Sequence, residues 1–129
     1  MENRNTILCV DDEPLILMLL KKQLTLHFGS RVKVESAQNG VEALEFLKDL
    51  YQEGEDVKVV LSDWIMPGMR GDEFLIKVKE QYPDINLMVI SGQVDDDSLE
   101  RVKKECELKG FFHKPWDFDD LASKIEMLL

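Results

Sequence analysis

Short apolar runs rich in branched residues alternate along the chain with longer segments in which apolar residues recur every three or four positions. Runs of the first kind are typical of buried strands, and segments of the second kind are typical of amphipathic helices. The runs predict five strands, over Thr6–Val10, Arg31–Ala37, Val57–Ser62, Asn86–Ser91 and Gly110–Phe112. Helical faces are clearest in the third and fourth of the longer segments, at Phe74, Leu75, Val78 and Tyr82 and at Leu99, Val102 and Cys106.

Polar residues at the ends of the helical segments support this division. Asn39, followed three residues later by Glu42, predicts a capping box at the start of the second helix. Gly29 predicts the end of the first helix, because glycine tolerates the backbone conformation that commonly follows a helix. Asp117 and Asp120 place acids at the start of the fifth helix, where they favour the positive end of the helix dipole.

The order of these elements predicts the fold class. Five strands alternating with five helices indicate an α/β fold, a doubly wound, flavodoxin-like parallel sheet with helices on both faces. The first, third and fourth runs are almost continuously apolar, as central strands are. The second run alternates in Val32-Lys33-Val34-Glu35, as expected of an edge strand, which fits the strand order 2-1-3-4-5. Such a sheet binds its ligand beyond the carboxyl ends of its strands.

Composition narrows the class of protein. The length of 129 residues predicts one domain over residues 1–129. The formal net charge of −10 disfavours nucleic acid and anionic membrane as direct partners, since both are polyanions. Cys9 and Cys106 lie in apolar periodic segments and are expected to be buried free thiols. No stretch reaches the roughly 18 apolar residues of a membrane span, and we expect a cytoplasmic location.

Polar residues stand at the strand ends where a ligand would bind. They are Asp11-Asp12 after the first strand, Asp63 after the third, Ser91-Gly92 at the end of the fourth and Lys114 after the fifth. Taken singly, each has an ordinary explanation, such as an acid near a helix N-terminus, a loop hydroxyl or a solvated lysine. Their coincidence at corresponding ends of adjacent strands predicts one site.

The chemistry of this residue set favours magnesium and phosphate. Clustered carboxylates repel one another, so they raise their pKa values or bind a cation. Oxygen ligands without histidine or cysteine favour Mg²⁺, which keeps several waters and is completed by phosphate oxygens. Three carboxylates and one lysine carry a net charge of −2, which one Mg²⁺ cancels. The set therefore suits phosphoryl transfer, with a carboxylate as the nucleophile.

These motifs resemble the signature of response-regulator receiver domains in two-component signalling. The resemblance rests on Asp11-Asp12, on Asp63 followed by Trp64-Ile65-Met66-Pro67-Gly68-Met69, on Ser91-Gly92 and on Lys114-Pro115, and it runs from Ile7 to about Leu129. It implies that Asp63 accepts a phosphoryl group from a phosphohistidine of a sensor histidine kinase or histidine phosphotransfer protein. It also implies a switch that assists its own phosphorylation and dephosphorylation, and not an enzyme.

The resemblance assigns the metal ligands and the phosphoryl contacts. Asp12, Asp63 and the backbone carbonyl of Ile65 would hold Mg²⁺ directly, and Asp11 would act through water. Of the remaining signature residues, those expected to meet the phosphoryl group are Lys114 as counter-charge, Ser91 as hydrogen-bond donor, the amide of Trp64 and the small Gly92.

A switch is implied at Ser91 and Phe111. Phe111, three residues before Lys114, would turn inward when Ser91 moves toward the phosphoryl group. Two further family positions, Ile65 and Gln93, would flank the path of the water that hydrolyses the phosphoryl group. Trp116 is less usual after Lys-Pro than a smaller residue and is interpreted as a packing residue. His27 and His113 are interpreted as non-ligands.

The first helix carries an additional hypothesis. At about 100° per residue, the core side would hold Ile16, Leu20, Leu24 and Phe28, and Met18 would face water among Lys21, Lys22 and Thr25, with Leu15 and Leu26 at the margins. The apolar residues on the outer side are either scattered exposed residues, which are common, or a docking patch for a kinase helix. Receivers commonly meet their histidine donors with this helix.

Several alternatives remain to the phosphoacceptor hypothesis. An aspartate-nucleophile phosphohydrolase needs a second acid two residues after the nucleophile, where this chain has Ile65. A flavodoxin-like cofactor binder needs glycine and hydroxyl residues after the first strand, where this chain has Asp11-Asp12-Glu13-Pro14. A receiver-like interaction module that is not phosphorylated, and a receiver piece of a larger regulator or hybrid kinase that carries an output domain, stay open.

Overall fold

The computed structural model describes residues 5–93 and 96–129. The strands are β1 Asn5–Val10, β2 Val32–Ala37, β3 Asp56–Ser62, β4 Asn86–Ser91 and β5 Gly110–His113. The helices are α1 Pro14–Phe28, α2 Gly40–Gln52, α3 Gly71–Gln81, α4 Asp96–Cys106 and α5 Phe118–Glu126. Every predicted strand is present within one residue of its predicted bounds. The second begins one residue late because Gly29–Arg31 form a short 3₁₀ turn before it.

The strands form one parallel sheet in the order β2-β1-β3-β4-β5, as predicted. β2 lies at an edge, and its side chains alternate between buried and partly exposed, whereas β1 and β4 are buried along almost their whole length. The difference follows from position, because a central strand of a doubly wound sheet is covered on both faces. The alternation in the sequence therefore located the edge correctly.

Successive residues of β1 point to opposite faces of the sheet and belong to two separate core layers. Ile7 and Cys9 pack with α1 and α5, and Leu8 and Val10 pack with α2, α3 and α4. Burial of an aliphatic side chain stabilises the fold by roughly 2 kcal/mol, so these layers are the main source of stability. The apolar faces predicted for α3 and α4 both pack in the layer that contains Leu8 and Val10. Cys9 and Cys106 are buried free thiols, as predicted.

The predicted helix ends agree with the structure. Asn39 Oδ1 accepts a hydrogen bond from the Glu42 amide at 2.8 Å, and the Asp117 side chain accepts one from the Asp120 amide. Gly29 follows α1 with φ of 59°, a conformation that favours glycine. Among the described residues, no helix has the length and apolar character needed to cross a membrane.

The core face of α1 differs from the prediction at one position. Leu17, Leu20, Leu24 and Phe28 are buried, and Ile16 is only half-buried. Leu17 lies about 100° around the helix from Ile16, within the arc of the other three, so Ile16 falls at its margin. Met18 is 67% exposed, and Leu15 and Leu26 are also exposed, so these three residues face water.

Candidate functional site

Backbone hydrogen bonds fix the residues that follow the strands. The sheet ladder continues one residue beyond three strand ends, through amide-to-carbonyl bonds from Asp11 to Ala37 (3.1 Å), from Asp63 to Val10 (2.8 Å) and from Lys114 to Ser91 (3.1 Å). A residue that still belongs to the ladder has little backbone freedom. The side chains of Asp11, Asp63 and Lys114 therefore start from fixed positions at the same edge of the sheet.

Lys114 joins the acids of this edge. Its Nζ donates to Asp11 Oδ2 at 2.8 Å and to Asp63 Oδ2 at 3.1 Å, and it lies 3.6 Å from Glu13 Oε1. The Lys114 side chain is 16% exposed, so these charge-assisted bonds are partly shielded from water. One ammonium group is therefore the shared counter-charge of three carboxylates.

The acceptor candidate Asp63 is buried and hydrogen-bonded at both oxygens. Oδ1 accepts from the Trp64 amide at 2.7 Å and from the Ile65 amide at 3.4 Å, and Oδ2 accepts from Lys114. The Ser62 hydroxyl donates to the Asp63 carbonyl at 2.8 Å and stabilises the turn after β3. Donors on both sides therefore hold the two oxygens of this carboxylate in place.

Four carboxylates form the acidic cluster, which consists of Asp11, Asp12, Glu13 and Asp63. One oxygen from each lies within 4.8 Å of the others. Hard oxygen donors at this spacing fit Mg²⁺, which favours carboxylates and water. Glu13 was not among the predicted ligands, and with it the cluster and Lys114 carry −3. One Mg²⁺ then leaves the site at −1 and not neutral.

The pKa values of Asp11 and Lys114 are both raised, but for different physical reasons. Burial raises the pKa of Asp11, and the charge of Asp63 adds to this, whereas hydrogen bonds from Lys114 and the Glu13 amide oppose it without cancelling it. Burial alone would lower the pKa of Lys114, but its hydrogen bonds to Asp11 and Asp63 outweigh burial and raise it. Lys114 therefore stays protonated at neutral pH.

A cleft of about 280 Å³ opens over the cluster. Its lining includes Asp63, Lys114 and, from the end of β4, Ser91, Gly92 and Gln93. The buried Ser91 Oγ donates to the Gln93 carbonyl at 2.9 Å and accepts from the Gln93 amide at 3.3 Å. A Cβ at Gly92 would meet no atom within 4 Å, so this side of the cleft is open.

Gly71 holds the segment after Asp63 in place. Its amide donates to the Trp64 carbonyl at 3.0 Å, and a Cβ at this position would lie 2.3 Å from that oxygen. No larger residue fits without moving the backbone, so glycine is required for the close approach of α3. Beside it, the buried carboxylate of Asp72 accepts a hydrogen bond from Arg70 at 2.7 Å. Both residues line a second cleft, which shares Ile65 and Gln93 with the first.

The other predicted residues lie around the site. Ile65 is 56% exposed at the mouth of both clefts. Phe111 is half-buried, and its ring lies edge-to-face with His113 at 4.8 Å between centroids. Trp116 packs against the α1 layer and donates its indole N–H to Gln23. The ring of His27 packs edge-on against Phe28 and Phe118.

Three residues of this region were missed in the sequence. Glu13 adjoins Asp11-Asp12, and its position in a run of three acids was a usable signal. Gly71 is the first residue of α3, three residues before Phe74, and nothing at this position of the sequence signals its close contact with Trp64. Gln23 has no sequence signal, because its contact with Trp116 spans 93 residues.

Comparison with known proteins gives a consistent result. A family model described as "Response regulator receiver domain" matches residues 7–126. A chemotaxis protein CheY homolog of Campylobacter jejuni is 31% identical over 125 residues, which are 95% of this chain and 91% of the relative. Sensor kinase CckA of Brucella abortus is 31% identical over 129 residues, which cover 96% of this chain but 12% of that kinase.

Solved structures agree with the sequence relatives. The signal receiver domain of an HD domain-containing protein from Pseudomonas fluorescens Pf-5 superposes with a TM-score of 0.85 at 25% identity, over 98% of this chain and 94% of that one. A response regulator receiver domain protein from Clostridium thermocellum superposes with a TM-score of 0.82 at 27% identity, over 96% and 93% of the two chains. Some relatives are much longer, and the chain spans 24% of the hydrogenase transcriptional regulatory protein HoxA of Cupriavidus necator.

Proposed function

The chain belongs to the response regulator receiver domain family of two-component signalling, and on this premise we propose that it is a Mg²⁺-dependent switch phosphorylated on Asp63. A phosphohistidine of a sensor histidine kinase or histidine phosphotransfer protein would be the donor. The observation that carries the proposal is the buried Asp63 carboxylate, which shares one Lys114 ammonium with Asp11 at the carboxyl edge of the sheet. Phosphoryl transfer depends mainly on such positioning and charge neutralisation.

The transfer step is a substitution at phosphorus. An oxygen of Asp63 forms the new P–O bond while the P–N bond of the phosphohistidine breaks. The electron pair of that bond returns to the imidazole nitrogen, and because the other ring nitrogen of the phosphohistidine carries a proton, the histidine leaves as a neutral imidazole. Asp63 is suited to this role because the hydrogen bonds that it accepts from Trp64, Ile65 and Lys114 hold its carboxylate in a fixed orientation.

The surrounding residues would neutralise the added charge. Lys114, already within reach of Asp63, would move its bonds from the carboxylates to the phosphoryl oxygens. Asp12, Asp63 and the Ile65 carbonyl would hold Mg²⁺, with Asp11 acting through water, and Glu13 lies close enough to join them. When bound, Mg²⁺ supplies the positive charge that lets an anionic phosphoryl group enter an acidic site. The Trp64 amide and the open space at Gly92 would receive the remaining oxygens.

Ser91 and Phe111 would carry the change to the surface. The Ser91 hydroxyl is bonded to the Gln93 carbonyl, so a phosphoryl oxygen must compete with that bond for it. Movement of Ser91 toward the phosphoryl group would free space for the half-buried Phe111 ring to turn inward beside α4. The phosphorylated conformation is stabilised only by its additional contacts, so phosphorylation shifts the populations of the two conformations.

The proposal extends to how the domain passes its signal on. Residues 1–129 would act as one receiver domain, signalling through a partner protein or through an attached output domain, as the longer relatives suggest. A receiver-like interaction module without phosphorylation is the competing candidate. It predicts partner binding that is independent of Asp63.

Labelling distinguishes the two candidates. Incubation with acetyl phosphate and Mg²⁺, followed by intact mass measurement, should add one acid-stable, base-labile phosphoryl group to the protein. Asp63→Asn should remove the labelling. Asp56→Asn, at the other end of the same strand, should keep it, because Asp56 is exposed and distant from the cleft. Full labelling of Asp63→Asn would overturn the assignment, and no labelling of the parent protein would favour the interaction module.

A further inference from the structure

We propose that Trp116 and Gln23 are positioning residues for Lys114, and that their side-chain hydrogen bond fixes the loop that carries the lysine. This inference rests on the proposed function, because Lys114 matters through its place beside Asp63. Trp116 Nε1 donates to Gln23 Oε1 at 3.1 Å across 93 residues of sequence. The bond, here called the Trp116–Gln23 strap, joins the β5–α5 loop to α1.

The geometry of α1 explains why the strap forms. Ile16, Leu19 and Gln23 are spaced by three and four residues, so they lie on one side of the helix. They line a groove of about 340 Å³ whose opposite wall is Lys114, Pro115 and Trp116. The groove is mainly apolar, and Gln23 supplies an acceptor for the half-buried indole N–H of Trp116.

Lys114 belongs both to this groove and to the acidic cleft. It lines the groove with Trp116 and lines the cleft with Asp63. On the strand side its amide is held by the Ser91 carbonyl at 3.1 Å, and two residues later the strap holds the chain on α1. The loop between these two attachments is short, so a change at Trp116 is transmitted to the backbone that carries the lysine.

Packing alone does not account for this arrangement. Phenylalanine at position 116 would keep much of the apolar contact with the α1 layer, although it is smaller, but would have no donor for Gln23. The indole therefore adds one directed bond to a contact that is otherwise apolar. Since the ammonium of Lys114 reaches three carboxylates within 3.6 Å, a small displacement of its backbone changes which acid it contacts.

Two variants each remove one partner of the strap. Trp116→Phe removes the donor. Gln23→Met removes the acceptor and keeps the side-chain volume nearly constant. Each should slow phosphorylation by acetyl phosphate about fivefold, the value expected for loss of one ordinary hydrogen bond. The double variant should be no slower than either single variant, because only one bond is lost. Gln52→Met, exposed at the far end of α2, is the matched control and should keep the parent rate.

A second background separates positioning from general loosening. In a Lys114→Ala protein, Gln23→Met should have no further effect on the low residual rate, because the strap acts through the lysine. An equal slowing in both backgrounds would overturn the proposal, as would parent rates for Trp116→Phe and Gln23→Met.

One measurement does not depend on phosphorylation. In ¹H–¹⁵N spectra, the Lys114 amide and the Trp116 indole resonances should shift in Gln23→Met and stay in place in Gln52→Met. An unchanged Lys114 amide would overturn the strap even where phosphorylation succeeds. Conversely, a parent protein that takes no phosphoryl group would refute the proposed function, and this spectrum would still decide whether the strap positions Lys114.

Discussion

Lys114 Nζ lies 3.1 Å from Asp63 Oδ2, although 51 residues separate the two in sequence. The same ammonium group lies 2.8 Å from Asp11 Oδ2, so before any phosphoryl group arrives it is shared between two buried carboxylates. Removal of the lysine leaves both carboxylates without their counter-charge, which is more costly than loss of an exposed ion pair.

Lys114→Met should lower the free energy of unfolding by about 2 kcal/mol at neutral pH without metal. Mg²⁺ should reduce this loss, because it supplies positive charge to the same carboxylates. Chemical denaturation with and without Mg²⁺ measures both effects. Lys58→Met is the control, since the half-exposed Lys58 forms only a surface ion pair with Asp56 and should change stability little. A Lys114→Met protein as stable as the parent without metal would contradict this interpretation of the site.

Removal of single carboxylates should rank the metal ligands. Asp12→Ala should abolish Mg²⁺ binding and labelling, and Asp11→Ala should weaken both, because Asp11 is expected to act through water. Glu13→Gln should weaken Mg²⁺ binding by a smaller factor, since it removes one charge from the acidic cluster. Calorimetry and labelling, with Asp49→Ala on α2 as the control, test this order. Normal labelling of Asp12→Ala would mean that the cluster does not hold the required metal.

Substitution at Ile65 should shorten the life of the phosphorylated state. Ile65 is exposed at the mouth of the cleft and offers no side-chain hydrogen bond to an attacking water. Ile65→Asn should accelerate loss of the phosphoryl group about tenfold, or about 1.4 kcal/mol of barrier. Release of inorganic phosphate gives the rate, and Val41→Asn, another exposed branched residue, is the control. An unchanged or lower rate would show that Ile65 does not shield the site from water.

Loss of the Phe111 ring should separate phosphorylation from its response. Phe111→Ala should be labelled at the parent rate, because Phe111 lies outside the residues that line the acidic cleft. Amide resonances around residues 91–114 should shift on phosphorylation of the parent and shift less in the variant. Phe46→Ala, half-buried on α2, should respond as the parent does. A parent spectrum that does not change in this region would refute the switch.

A charge on the outer face of α1 should affect the kinase and not the chemistry. Met18 is 67% exposed, and Met18→Glu should slow transfer from the cognate histidine kinase while labelling by acetyl phosphate stays normal. Leu26→Glu places the same charge at the other end of α1, far from the cleft, and should have a smaller effect. Equal rates of transfer from the kinase to Met18→Glu and to the parent would refute the docking patch on α1.

The sequence alone determined the fold and most of the residues at its carboxyl edge. Strand and helix periodicity reflect burial on one or two faces, which is a local property, so five strands, five helices and the edge position of β2 were predictable. Asp11, Asp63, Ser91 and Lys114 were found for the same reason, because each stands where an apolar run ends.

Tertiary structure decided the contacts between these residues. Side-chain directions and distances across the sheet decide three of them. Lys114 bonds to both Asp11 and Asp63, Glu13 lies within the acidic cluster, and Trp116 bonds to Gln23. The choice of Leu17 over Ile16 for the core similarly depends on how α1 is rotated against its neighbours. Periodicity gives the arc of a helix that is apolar, but packing against the sheet and α5 sets which edge of that arc is covered.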